Sequence, residues 1–232
     1  MNFLSHHEVA VRLYDQLPDR RLLFGSVLAD LCRMSATRRL LPELKNPALI
    51  EGNVLHGMTN KVFDNHPRVL SLKRRLKDDL SEFLPWRTAI QSANAGIDIM
   101  FDGLWPNPHP ARNELNETLR SALIDSETRA AFAAEPLYDL VAKLADNLPA
   151  YDEIEVVRYA LTRTLSRTRT KLEGVNQYQL SSVLSRNQET LLGVGAVIMQ
   201  QVVETLNTPG ELNRRSALVE KHSQAEVTGL AR

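Results

Sequence analysis

The chain has 232 residues, 43% of them apolar, enough for one large domain or two small ones around a sizeable core. Its 28 Lys and Arg balance 28 Asp and Glu, and zero net charge argues against a general nucleic-acid binder, which needs a basic surplus. The single cysteine, Cys32, excludes a disulfide framework and a cysteine-based zinc site, and no apolar run reaches the roughly 18–20 residues that span a membrane.

The opening MNFLSHHEVAVRLYDQ lacks a basic start and carries His and Glu where a signal peptide is apolar. A cytoplasmic protein is therefore expected, and one cysteine suits that reducing compartment. Ser5 to Gln16 reads as a first helix, with Ser5 and Glu8 at capping-box spacing and Val9, Leu13 and Leu17 as its apolar stripe. His6 and His7 lie at its start. After Pro18 and Asp19, LLFGSVLADLCR continues the helical pattern, and its Gly25 permits close approach of another backbone. Asp30 is the acid of that segment, set among Val27, Leu28, Ala29 and Leu31. A carboxylate there is a buried partner or a ligand.

Residues 34–47 form a basic connection ending in two prolines. A helix from Pro47 to about Asn65 carries NVLHGMTNKVFDNHP, in which His56, Asn60 and Asp64 follow one another at i, i+4 and i+8 near one face. Pro67 opens the next helix, which is densely charged on its far face and stops at Pro85. Another helix from about Trp86 repeats the i, i+4 geometry with Asp98 and Asp102, two carboxylates between apolar neighbours, and ends before WPNPHP. His109 in that loop reads as a surface residue. Helices are expected over 113–134, 136–147, 151–177 and 179–207. The stretch Arg158 to Lys171, with Arg163, Arg167 and Arg169, is the most basic part of the chain and reads as a solvated face or a dock. Gly193 and Gly195 are expected to mark close helix packing.

No alternating strand run, internal repeat or low-complexity tract interrupts this pattern. The expected fold is all-α, a single-domain bundle of about seven to nine helices over residues 1–208, followed by a polar tail over 209–232 without regular structure. Ordinary readings stand beside the chemical ones. His6 also reads as a capping or surface residue and His56 as a core histidine. Asp64 also reads as a cap, and Asp98 and Asp102 as partners of arginines. Asp30 has the weakest ordinary explanation.

Four partial motifs, in order, carry a resemblance. MNFLSH resembles an MNFLAH start, matching at His6. LLFGSVLADL resembles L-x-G-N-L-L-A-D, matching at Gly25 and Asp30. HGMTNKVFDNHP resembles H-R-R-I-D-x-x-T-D-x-x-P, matching at His56, Asp64 and Pro67, and GIDIMFDGLW resembles L-D-x-M-W-D-H-F-L, matching at Asp98, Met100 and Asp102. TLSRTRTKLEGV is more weakly similar to an A-S-R-R segment. Over residues 1 to about 205 the chain is thus similar to the acyl carrier protein phosphodiesterase family, helical metal-dependent hydrolases related to the HD-domain phosphohydrolases.

The resemblance implies an HD-domain-like fold and hydrolysis of the phosphodiester between 4′-phosphopantetheine and a serine of acyl carrier protein, with Mn²⁺ or Mg²⁺ as cofactor. It implies His6, Asp30, His56, Asp98 and Asp102 as metal ligands or their neighbours, with Asp30, His56 and Asp102 in catalysis. Arg163, Arg167 and Arg169 would meet the acidic carrier protein or its phosphate. The chain departs from the motifs at Gly57, Met58 and Asn60, where two arginines and an acid are expected. It also departs at Phe63, where the family has threonine, and at Gly103, where it has histidine. Loss of an anionic ligand and an imidazole weakens a metal site, so a second expectation is a pseudoenzyme that binds a carrier protein or another partner without hydrolysing it.

Overall fold

The computed structural model describes residues 2–14, 18–37, 44–131, 135–166, 172 and 175–229. Among them are eleven α-helices, one 3-10 turn and no strand, so the fold is all-α. The helices are α1 Phe3–Arg12, α2 Arg20–Met34, α3 Pro47–Asp64, α4 Pro67–Ser81, α5 Trp86–Phe101, α6 Pro110–Ile124, α7 Ser126–Ala131, α8 Glu135–Asp146, α9 Ile154–Ser166, α10 Gln177–Leu206 and α11 Pro209–Gly229. No helix among the described residues is long and apolar enough to cross a membrane. Contacts cluster into two compact units, interleaved along the chain.

One unit comprises Phe3–Val62, Pro110–Leu148 and Gln201–Arg232. Here α1 packs on α2 and α6, and α6 packs on α2 and α8. Phe3, Leu4, Phe24, Leu28, Leu49 and Leu55 are buried almost completely. Each such side chain contributes about 1.5–3 kcal/mol through removal from water. The approach of α2 to α3 is set by two glycines. A Cβ on Gly25 would stand 2.5 Å from the Leu49 carbonyl oxygen, and one on Gly52 would stand 2.1 Å from that of Leu22. Only hydrogen fits at either position.

The other unit comprises Met1–Asn2, Phe63–His109 and Pro149–Gln200. Within it α5 packs against α4 and α9. α4 shows why its sequence is helical there: Val69, Leu72, Leu76 and Leu80 recur at helical spacing and are buried, while the charged residues between them are exposed or half-buried. His66 caps α4, its Nδ1 accepting from Arg68 N at 3.2 Å, and Pro67 takes the first helical position.

Four expectations change. Ser5 is not a cap: α1 begins at Phe3, Ser5 is fully buried inside it, and Glu8 pairs instead with Arg12 at 2.6 Å. The helix expected over 113–134 is broken at Asp125, because the Asp125 carboxylate accepts from the backbone N and hydroxyl of Thr128, at 2.8 and 2.5 Å, and so starts α7. Residues 209–229, expected as an irregular tail, form α11. Its Arg215 lies 5.3 Å over the Tyr14 ring and 4.0 Å from a Glu51 oxygen, and the Tyr14 hydroxyl donates to Glu51 at 2.7 Å. Burial and the Glu51 carboxylate together push the Tyr14 phenol well above its usual range. The split helix and α11 account for eleven helices where up to nine were expected. Gly195 does mark close packing, since a Cβ there would meet Leu104, whereas Gly193 faces open space.

Candidate functional site

The glycine crossing fixes what lies one turn beyond it. Ser26 directly follows Gly25 on α2 with Asp30 one turn further, and His56 and Asn60 follow Gly52 along α3 at successive i+4 steps. The Ser26 carbonyl oxygen lies 2.9 Å from His56 Nδ1. From α1, His6 places Nδ1 2.9 Å from Asp30 Oδ2 and stacks on His56 with ring centroids 3.9 Å apart. His6, Asp30 and His56 are 1%, 3% and 5% exposed. Their ligand atoms lie within 4.8 Å of one another, the grouping of His and acidic side chains with metal-binding spacing among the described residues.

Asn60 joins the two rings. Its Oδ1 is 3.1 Å from His6 Nε2 and its Nδ2 is 3.0 Å from His56 Nε2. A carbonyl only accepts, so neutral His56 carries its proton on Nδ1, toward Ser26. The His56 Nε2 lone pair then accepts from the Asn60 amide, and Asn60 Oδ1 accepts from His6 Nε2–H. Reversing the carboxamide would require a cationic His56. That is disfavoured, because burial, with the nearby His6 charge, brings the His56 pKa down to about 3.

Burial alone raises the Asp30 carboxyl, but the neighbouring His56 and His6 imidazoles, the His6 hydrogen bond and Arg33 outweigh it and hold Asp30 well below the usual carboxylate range. The Arg33 contact, 3.5 Å to the other Asp30 oxygen, comes from a half-exposed side chain. With Asp30 ionised, the bond between it and His6 is donated by His6 Nδ1.

Both Nδ1 atoms are therefore anchored, one by a carboxylate and one by a backbone carbonyl, while both Nε2 atoms meet the same Asn60 carboxamide. Metal-binding histidines are commonly held in this way. Two imidazoles with one supporting carboxylate fit Mn²⁺ better than Mg²⁺, which prefers an all-oxygen shell.

The remaining expected residues lie elsewhere. Asp98 and Asp102 are not members of this group. Asp98 engages Lys73, whose Nζ is 3.5 Å from it and 2.8 Å from Asp64, so an ammonium already supplies its counter-charge. Asp102 is completely buried at the start of the 3-10 turn Asp102–Leu104. Gly103 has no room for the expected histidine: a Cβ would stand 2.5 Å from the Tyr151 carbonyl oxygen, which accepts from Gln188 Nε2 at 2.8 Å. Arg163 is exposed on α9, whereas Arg167, Arg169 and Lys171 lie outside the described residues. Arg158 is tied to Glu155 and Gln177.

Sequence reasoning missed Ser26, which acts through a backbone atom that no motif records. It noted Asn60 beside His56 without giving it a contact; the i, i+4 spacing was the signal available.

The profile of a protein family described as acyl carrier protein phosphodiesterase matches residues 1–193. No curated protein and no solved structure matches the chain.

Proposed function

Because the chain belongs to the acyl carrier protein phosphodiesterase family, we propose that it hydrolyses the phosphodiester linking 4′-phosphopantetheine to a carrier-protein serine, with a divalent ion held at the His6–His56 cluster. Water adds to phosphorus, the bond to the serine oxygen breaks, and that oxygen leaves protonated, giving apo carrier protein and phosphopantetheine. The observation that carries this reading is the buried His6–Asp30–His56 grouping, with ligand atoms within 4.8 Å of one another and both Nδ1 atoms held, by Asp30 and the Ser26 carbonyl. A bound Mn²⁺ would polarise the phosphoryl group and lower the pKa of water.

The chain's own residues do the rest. His6 and His56 would hold the ion. Asp30 orients His6 through its Nδ1, a supporting place rather than that of a ligand. Exclusion of water around the buried rings strengthens these interactions. Residues 1–208 act as the hydrolase region, in the cytoplasm, and Arg163 with the basic segment after it faces the acidic carrier protein. The test is Mn²⁺-dependent release of phosphopantetheine from holo carrier protein, expected from the wild-type chain and lost in His56→Ala.

One observation favours a second reading. Asn60 caps both imidazoles with a neutral group, which suits a carrier-protein binder that does not hydrolyse. Such a protein would bind holo carrier protein and release nothing in the same assay.

A further inference from the structure

Asn60 touches both imidazoles at Nε2, the side opposite the nitrogens that face Asp30 and Ser26. Its carboxamide spans from His6 Nε2 to His56 Nε2 at 3.1 and 3.0 Å. It is only half-buried, on the rim of a cluster whose other three side chains are buried. An ion that takes both Nε2 atoms must break both of these hydrogen bonds. Resting on the metal reading above, we propose that Asn60 is a lock on the cluster: its carboxamide competes with the ion for both imidazoles, and the identity of residue 60 sets the metal affinity.

The argument turns on what each group offers. The carboxamide satisfies both rings at once, one as donor and one as acceptor, which a single neutral side chain achieves only in this opposed arrangement. Removing it leaves the His56 lone pair free. A carboxylate of the same shape cannot donate to His56 Nε2, so the locked arrangement is lost and an anionic oxygen stands where the two nitrogens converge. Asn60 is polar, sits one turn from His56 and needs no close packing, so substitution leaves the α2–α3 crossing intact.

The test is calorimetric titration of Mn²⁺ into the wild-type chain, Asn60→Ala, Asn60→Asp and His56→Ala, with thermal melts to verify folding. Asn60→Ala is expected to bind a few-fold tighter than wild type and Asn60→Asp at least about tenfold tighter, with His56→Ala removing the binding. If wild type binds Mn²⁺ through His56 but both Asn60 variants bind equally or more weakly, the lock is wrong and the metal site stands. If no variant binds Mn²⁺, Asn60→Asp included, both the lock and the metal reading fail.

Discussion

The carbonyl oxygen of Ser26, the residue after Gly25 at the α2–α3 crossing, lies 2.9 Å from Nδ1 of His56, one turn past Gly52. A single backbone contact thus sets both the orientation of the ring and the nitrogen that carries its proton. The site depends on the crossing as much as on its own side chains.

Gly52→Ala tests that dependence. Its new methyl would meet the Leu22 carbonyl oxygen, which is backbone and cannot rotate away. The helices must separate, at a cost of about 1–3 kcal/mol or more. Urea unfolding is expected to show the loss, and His56 is expected to lose its contact to Ser26. Gly57→Ala, where a Cβ meets nothing within 4 Å, is the control and is expected to be neutral or slightly stabilising.

Acid is expected to destabilise the fold through two buried histidines. His7 is fully buried, with Nε2 3.1 Å from the Thr118 hydroxyl, and burial lowers its pKa to about 3; His56 is lowered to about 3 as well. Both stay neutral when folded, while the unfolded chain protonates them near pH 6.5. Their stabilisation is complete above about pH 6.5 and is lost progressively as pH falls toward 3. Each group contributes a slope of up to about 1.4 kcal/mol per pH unit. Urea midpoints between pH 7.5 and 5 check this, and a flat profile would contradict it.

Arg215→Ala is expected to loosen α11. The guanidinium lies over Tyr14 and beside Glu51, and the side chain is 17% exposed. Its loss is expected to cost roughly 0.5–2 kcal/mol. Hydrogen exchange along residues 209–222 should then quicken while α4 and α5 stay protected.

Much of this was legible in the sequence, and the limits have physical causes. α3 and α4 were readable because proline opens each and their apolar positions recur at helical spacing. The break at Asp125 was not, because its cap is a side-chain bond that only the folded geometry reveals. α11 was hidden by its polarity: over residues 209–222 its side chains are exposed or half-buried, so no apolar stripe announces it. At the site, motif order pointed to His6, Asp30 and His56, and the structure brings these three together. The same motifs pointed to Asp98, yet they carry no record of Lys73, which meets it from α4. The Gly103 departure looked like a lost ligand, and the Tyr151 carbonyl shows it to be a packing requirement of this chain.

The most direct measurement is Mn²⁺ binding to the purified chain, by calorimetry or metal analysis, beside His6→Ala and His56→Ala. The account predicts a single ion per chain, absent from both variants while their melting temperatures show them folded. No detectable binding at millimolar Mn²⁺, or binding that survives in either variant, would contradict the claim that these two imidazoles form the metal centre.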